Sequence, residues 1–182
     1  HQSSCNKDYS CLLGDCPSFL TVEVGDLPKK RPATIAPPAD HLPEPTPLCD
    51  ADGYAVRMLG IGGTGVVTTS QILGTAAVLD GLHVWALDQT GLAQKGGAVV
   101  SDIKLARAPL AVGKIAAGGA DLYLGFDLLV ANDANNLATA DPGRTVAVVS
   151  VSKVPTGKMV TDTTLNFPNP RLILSKIERA TR

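Results

Sequence analysis

Apolar residues from position 54 onward fall into short runs that are separated by glycines and polar turns. Five runs have the length and composition of strands, at residues 54–59, 83–87, 98–105, 121–126 and 145–151. Apolar spacing typical of helices follows the first run at 66–79, and a helical pattern at 127–139 separates the last two runs. Strands alternating with helices predict an α/β fold, a Rossmann-like three-layer domain with a mainly parallel sheet.

Composition divides the 182 residues into three regions. All four cysteines and eight of the thirteen prolines lie in the first 50 residues, whereas sixteen of the eighteen glycines lie after residue 52. We therefore predict a cysteine-bearing segment at 1–24, a proline-rich linker at 25–52 and a glycine-rich globular domain at 53–182. Proline removes backbone donors and favours extended geometry, so the linker should be a semi-rigid strap.

Charge excludes several classes of partner. The net charge of −1 argues against binding to nucleic acid or to an anionic membrane surface. The uncharged stretch 58–79 is long enough to span a membrane, but five glycines and several polar residues interrupt it. The polar N-terminal segment does not resemble a secretory leader, so we expect a cytoplasmic protein.

The chain begins with His1 and stops in a polar, helix-like run ending at Arg182, which suggests a piece of a longer protein.

A glycine-rich turn connects the first predicted strand to the first predicted helix. Its glycines are Gly60, Gly62, Gly63 and Gly65, in the spacing Gly-x-Gly-x-x-Gly. Such a turn presents backbone N–H groups to an anion at a helix N-terminus, and Asp88 would close the second strand where a dinucleotide ribose binds. The alternative is that these glycines only allow the helix to pack closely on the strand. No Lys-Ser or Lys-Thr pair follows, which excludes a nucleoside-triphosphate P-loop.

A second glycine cluster, residues 91–97, follows the second predicted strand. It contains Gln94, Lys95, Gly96 and Gly97. Loops after parallel strands share one edge of a sheet, so Lys95 and the glycine-rich turn could face the same crevice. Lys95 is then either a counter-charge for an anion or an exposed lysine on a loop.

Three closely spaced cysteines, Cys5, Cys11 and Cys16, are candidate metal ligands. Their spacing lacks the paired Cys-x-x-Cys of zinc sites, and a disulfide framework fits poorly with the absence of secretory signals. Cys16 precedes a proline, as does the last ligand of a bacterial ferredoxin-type cluster. The segment therefore favours part of an iron–sulfur site, whereas Cys49 in the linker is better explained as an incidental thiol.

Several segments together resemble one family. Residues 1–11 and the Cys16-Pro17-Ser18-Phe19 that follows resemble the iron–sulfur segment of the long fused indolepyruvate ferredoxin oxidoreductases. Residues 58–69 resemble the start of their gamma domain, and Gly91–Gly97, reading Gly-Leu-Ala-Gln-Lys-Gly-Gly, is the most specific match. Looser similarity covers 121–131 and 155–160. These matches occur in the family's order along most of the chain.

The resemblance implies an enzyme that oxidatively decarboxylates an aryl or branched 2-oxoacid with coenzyme A. Its products would be an acyl-CoA, carbon dioxide and reduced ferredoxin. The family uses thiamine diphosphate with Mg, and 4Fe-4S clusters carry the electrons. This chain lacks the thiamine-binding signature, so decarboxylation would occur in upstream thiamine-binding domains of a homo-oligomer. The chain alone should then be inactive, holding only part of a cluster's ligand set and no catalytic residue.

Two other functions are also consistent with the sequence. One is a Rossmann-type module that binds NAD or FAD and carries a metal-binding tail. The other is a structural interaction domain whose cysteines bind nothing. The family's electron acceptor is ferredoxin, which favours an anion site or a packing role for the glycines over a dinucleotide site.

Overall fold

A computed structural model describes residues 53–92 and 96–182. The predicted cysteine-bearing segment and the proline-rich linker lie outside these residues, and so do Gln94 and Lys95. Five strands are present in this part of the chain: β1 (Tyr54–Ile61), β2 (His83–Thr90), β3 (Ala98–Ala106), β4 (Leu122–Gly125) and β5 (Val146–Val149). Five helices accompany them: α1 (Val66–Leu79), α2 (Leu128–Ala131), α3 (Ala134–Leu137), α4 (Gly157–Thr161) and α5 (Pro170–Ala180).

The strands form one mixed sheet in the order β2-β3-β1-β4-β5. β1 pairs with β4 and β4 pairs with β5 in parallel, whereas β3 is antiparallel to both β1 and β2. Four strands thus run in one direction, and β3 alone of the five runs against them. The link between β2 and β3 is too short for the crossover that a parallel pair requires, so β3 returns antiparallel. The predicted α/β fold is confirmed, with a mixed sheet.

Helices cover both faces of the sheet. Val56 and Met58 of β1 pack with Val66 at the start of α1, together with Ile103 of β3. The other face of β1 carries Leu59, which packs among residues of β4, α2 and α5, namely Tyr123, Leu128, Ala131, Ile173 and Ile177. Because successive side chains of a strand point to opposite faces, β1 is buried on both sides and forms the centre of the domain.

The observed strands differ from the predicted runs by one to three residues at their ends, and two differences affect the description of the site. The predicted helix over 127–139 is two short helices, because Asp127 and Asp133 each cap a helix start with a side-chain oxygen that accepts backbone N–H groups. β1 extends through Ile61 and so includes the first glycine of the turn. Helix α1 has the predicted bounds, and Gly81 follows its C-cap with φ 79°.

Candidate functional site

The glycine-rich turn lies at the carboxyl end of β1 and continues directly into α1. Gly63 and Gly65 have positive φ values of 97° and 85°, which side-chain-bearing residues rarely adopt. Gly65 is the N-cap of α1, and among the described residues no side chain caps this helix end with a hydrogen bond. The first N–H groups of a helix lack acceptors within the helix, so a helix end of this kind can receive an anion.

Gly60 is required for close packing at the start of this turn. A Cβ at Gly60 would lie 2.5 Å from Thr64 Oγ1 and 2.6 Å from Val66 Cγ2. Thr64 is itself held by its hydroxyl, which donates to the carbonyl of Ile61 at 2.7 Å. The turn therefore folds back tightly onto the end of β1, and this glycine has a packing role in the structure.

The two glycine clusters are in contact. The Gly62 N–H donates to the Gly97 carbonyl at 2.8 Å, and the Gly96 N–H donates to the Gly62 carbonyl at 3.3 Å. Gly96 has a φ of 72°, so both clusters use left-handed backbone at this junction. The sequence predicted that the clusters would share one edge of the sheet, and this is the observed arrangement. Gln94 and Lys95 lie outside the described residues.

A cavity of about 550 Å³ opens beside the turn, and we call it the glycine-turn cavity. It lies at the carboxyl ends of β1, β4 and β5, the edge where open α/β sheets bind ligands. The turn contributes Gly63 and Thr64, and the loop after β5 contributes Ser150 and Ser152. No acidic or basic side chain lines it among the described residues. The N-cap of α1, Gly65, follows this lining directly, and a helix N-terminus next to hydroxyls suits an anionic group.

The arrangement expected for a dinucleotide site is not formed. β3 lies between β1 and β2, so Asp88 is two strands away from the turn, about 10 Å in the hydrogen-bonding direction. Asp88 also lies within β2, which continues to Thr90, and is exposed. A dinucleotide site of this type needs the acidic residue at the end of a strand next to β1. The inserted antiparallel strand removes that geometry.

A buried polar network, which sequence reasoning missed, lies under α2 and α3. Arg57 donates from Nη1 to Asp102 at 2.8 Å and from Nη2 to the side-chain oxygen of Asn136 at 2.8 Å. The second Asp102 oxygen accepts the N–H of Ile115 at 3.1 Å. The Nε of Arg57 is buried and has no partner among the described residues. A charged residue inside an otherwise apolar strand was the signal available in the sequence.

Tyr123 lies next to this network on β4. Its hydroxyl donates to the Ala131 carbonyl at 2.7 Å, and its side chain is fully buried. Burial raises the pKa of Tyr123 far above its ordinary value, because the phenolate would lose its hydration; the Arg57 charge opposes this with a smaller effect. The residue is therefore neutral and structural at physiological pH.

A second cavity, about 520 Å³, shares Val154 with the glycine-turn cavity, and we call it the acidic cavity. Ile61 of β1 and Ala98 of β3 lie at one side, next to Gly96. The α2–α3 segment and the loop before α4 supply the rest of the lining: Asp127, Leu129, Val130, Asp133, Asn135, Asn136, Val154, Pro155 and Thr156.

The predicted cluster ligands Cys5, Cys11 and Cys16 lie outside the described residues. Residues 53–92 and 96–182 contain no cysteine and form no group of His, Cys, Asp or Glu suited to a metal ion. The part of the chain that the structure describes thus gives no test of the iron–sulfur prediction. Nor does any helix in this part have the length and apolarity needed to span a membrane.

Comparison with known proteins identifies related chains. The family model described as pyruvate ferredoxin/flavodoxin oxidoreductase matches residues 55–176. A protein of Methanothermobacter thermautotrophicus named indolepyruvate oxidoreductase subunit IorB is 36% identical over 78 residues, which are 43% of this chain and 39% of the relative. A protein of the same name in Archaeoglobus fulgidus is 38% identical over 74 residues, covering 40% of this chain and 35% of the relative.

Among solved structures, the chain is similar to a 2-oxoglutarate:ferredoxin oxidoreductase from Magnetococcus marinus that has 2-oxoglutarate, coenzyme A and succinyl-CoA bound. The TM-score is 0.46 at 19% identity, over 54% of this chain and 16% of that one. The chain thus matches well under half the length of both curated relatives and a smaller share of this enzyme.

Proposed function

This chain belongs to the pyruvate ferredoxin/flavodoxin oxidoreductase family, and from that membership we propose that it is the gamma part of a 2-oxoacid:ferredoxin oxidoreductase. The substrate we propose is an aryl or branched 2-oxoacid such as indolepyruvate. It would be converted with coenzyme A to an acyl-CoA and carbon dioxide, and ferredoxin would accept the electrons. The names of the two archaeal relatives support the indolepyruvate assignment.

The junction of the two glycine clusters is the observation that carries this proposal. Both clusters belong to the segments that resemble the family, and the Gly62–Gly97 and Gly96–Gly62 hydrogen bonds join them at the carboxyl end of β1. Glycines without side chains at such a junction suit a surface that another domain or a ligand must approach closely. We therefore place the functional face of this domain at this edge of the sheet, where Gly63 and Thr64 continue from the junction into the lining of the glycine-turn cavity.

The proposed role of this face is anion binding. Open N–H groups at the start of α1 and the hydroxyls of Ser150 and Ser152 would receive a phosphate of coenzyme A or a carboxylate of another subunit. Lys95, carried over from the family resemblance, would add a counter-charge. In this proposal the glycines position the backbone, and no residue of the described chain enters the chemistry.

The redox chemistry belongs to groups held elsewhere. Thiamine diphosphate with Mg would supply the carbanion in upstream domains, and a 4Fe-4S cluster would pass single electrons to ferredoxin. Cys5, Cys11 and Cys16 remain the proposed cluster ligands within this chain. A cytoplasmic, homo-oligomeric enzyme is likewise a proposal, and it rests on the sequence.

The test is Lys95→Ala in the complete oxidoreductase. We expect ferredoxin reduction with indolepyruvate and coenzyme A to fall about tenfold, the equivalent of one lost charge-assisted contact. We expect the free energy of unfolding to change by less than about 0.5 kcal/mol, the usual range for surface substitutions, since the sequence predicts a loop at Lys95. Steady-state assays with indolepyruvate, pyruvate and 2-oxoglutarate, alongside thermal melts, measure both effects and the substrate preference.

Lys176→Ala is the matched control, because Lys176 is an exposed lysine on α5. It should leave both activity and stability unchanged. Full activity of Lys95→Ala would contradict the counter-charge role of Lys95. It would instead support the interpretation of Lys95 as an incidental loop lysine. A preference for pyruvate or 2-oxoglutarate over indolepyruvate would overturn the substrate assignment.

A further inference from the structure

Strand β2 forms one edge of the sheet and pairs with β3 alone among the described strands. The outer backbone groups of an edge strand can pair with a further strand, so proteins protect such edges with lysine, proline, bulges or very short strands. β5, at the opposite edge, has only four residues. β2 has eight, and none of them is lysine, proline or glycine. β2 therefore has the properties of a strand that another strand covers.

On the face toward α1, apolar side chains reach this edge. Val84 packs in the cluster beneath α1 and lies beside Gly74, where a Cβ would be 3.5 Å from Val84 Cγ1. Val78 follows Gly74 by one helical turn on the same side of α1, and it is exposed. Ala86, two residues after Val84, lies on this face and is also exposed. This side of the edge is therefore apolar and open.

The opposite face of the edge carries an aromatic ring. Trp85, the chain's only tryptophan, is 41% exposed. Its indole lies directly on Gly113, where a Cβ would overlap the ring. Val112, the residue before Gly113, is exposed as well. A strand added to β2 would thus bury apolar side chains above and below the sheet.

These two faces define the strand that fits the edge. It needs apolar side chains on both of its own faces, whereas a strand with one solvated face alternates apolar and polar residues. β2 itself meets this requirement, with Val84 and Ala86 on one face and Trp85 and Leu87 on the other. β2 is therefore complementary to a second copy of itself, and two-fold pairing of identical surfaces is the commonest form of association.

We propose that β2 pairs antiparallel with β2 of a second copy of this chain, about a two-fold axis at Trp85. In this register Trp85 of one copy lies opposite Trp85 of the other, and Val84 lies opposite Ala86, so apolar side chains meet on both faces. The two Asp88 carboxylates are then about 20 Å apart, six residues along the strand, which exceeds the Debye length.

The resulting dimer is one continuous sheet with five strands from each copy. Its remaining edges are the short β5 strands, so the association closes at two copies. The net charge of −1 on each chain produces little repulsion between the copies. This interface is separate from the proposed anion-binding face and does not depend on it.

Sedimentation velocity on the 182-residue chain tests the proposal. We expect a monomer–dimer equilibrium with a dissociation constant between about 1 and 100 μM, as for a modest interface. Acrylamide quenching of tryptophan fluorescence reports on Trp85 alone, and it should weaken as the chain concentration rises. A chain that stays monomeric throughout this range would overturn the proposal. This holds even if Trp85 is shielded, because another part of the chain would then cover β2.

Ala86→Lys is the decisive variant, because it places a lysine on the edge strand of each copy. The side chain of Ala86 is exposed, so the circular dichroism spectrum should stay unchanged. We expect the dimer to weaken about tenfold or more, since the two new charges repel each other. Wild-type dimerisation in this variant would contradict the proposal.

Leu172→Lys is the matched control. Leu172 is an equally accessible apolar residue, but it lies on α5, whose buried residues pack with β4 and α2. The variant introduces the same charge away from β2, so it should dimerise as the wild type does. Loss of the dimer in Leu172→Lys together with its retention in Ala86→Lys would place the interface elsewhere and overturn the proposal.

Val112→Lys and Val78→Lys test the two faces of the edge separately, and they decide the question if Ala86→Lys fails to fold. Both valines are exposed, so substitution should leave the fold intact. Each variant should weaken the dimer about three- to tenfold, because a lysine replaces an apolar contact beside the paired strands. Unchanged dimerisation in both variants would overturn the proposal, since a different surface would then hold the copies together.

Discussion

The two faces of β1 are built in different ways. The face toward α1 buries Val56 and Met58 against apolar side chains, and its buried polar contact is a hydrogen bond of 2.8 Å between Ser70 and Ser101. The opposite face buries Arg57 between its apolar neighbours, with Asp102 and Asn136 as partners. One strand thus supports an apolar interface on one side and a charged network on the other.

The difference shows how each face resists substitution. Apolar contacts are many and individually weak, so losing one side chain has a graded cost. The charged network depends on a few groups, and removing one leaves a buried charge without compensation. Because Arg57, Asp102 and Asn136 lie on β1, β3 and α3, the network also joins three elements that are distant in the sequence.

Removing the charge of Arg57 should have the largest effect. Arg57→Met leaves Asp102 buried at 1% exposure without its cation, and we expect the free energy of unfolding to fall by about 3–5 kcal/mol. Denaturant titration followed by circular dichroism measures the loss. A loss below about 1 kcal/mol would show that the pair is not desolvated and that the two faces do not differ as described.

The double variant Arg57→Met with Asp102→Leu is the control for that measurement. It removes both charges, so it should be less destabilised than Arg57→Met alone. Some loss should remain, because the Ile115 N–H loses its acceptor on Asp102 and Asn136 loses a donor.

An apolar truncation on the opposite face should cost less. Met58 is fully buried, and Met58→Ala leaves a cavity beneath α1. We expect a loss of about 2–4 kcal/mol in the same titration, and Met58→Leu, which conserves volume, should lose less than about 1.5 kcal/mol. A Met58→Leu loss equal to that of Met58→Ala would indicate a shape constraint instead of a volume effect.

The smallest effect concerns Tyr123 and depends on pH. Tyr123→Phe removes the hydrogen bond to Ala131 and should cost about 1–2 kcal/mol at pH 7. The folded-state pKa of Tyr123 lies above the unfolded value near 10, so its contribution is complete below pH 10 and is lost as the pH rises further. Wild-type stability should therefore decrease above pH 10.

Tyr123→Phe should lose less stability than the wild type over that alkaline range, because it has one buried phenol fewer. Urea midpoints at pH 8, 10 and 11 measure the difference. Parallel alkaline decreases in the two proteins would mean that Tyr123 ionises as freely in the folded state as in the unfolded state.

Local sequence patterns were sufficient for several elements. The bounds of α1 agree with the apolar spacing of 66–79, and Gly81 ends the helix through hydrogen bonds from Gly81 and Leu82 back to Val78 and Ala77. Asn169 and Pro170 likewise mark the start of α5 by side-chain capping and a fixed φ, a signal that would have located this helix. These features depend on residues a few positions apart, so the sequence alone specifies them.

The order of the strands and both cavities required tertiary structure. The sequence placed the two glycine clusters at one edge, but only the antiparallel insertion of β3 beside β1 aligns Gly62 with Gly96 and Gly97 and moves Asp88 away. The same pairing sets Arg57 opposite Asp102. Helix spacing and capping are local, whereas strand order and register depend on contacts between distant segments, and periodicity along the chain carries no information about those contacts.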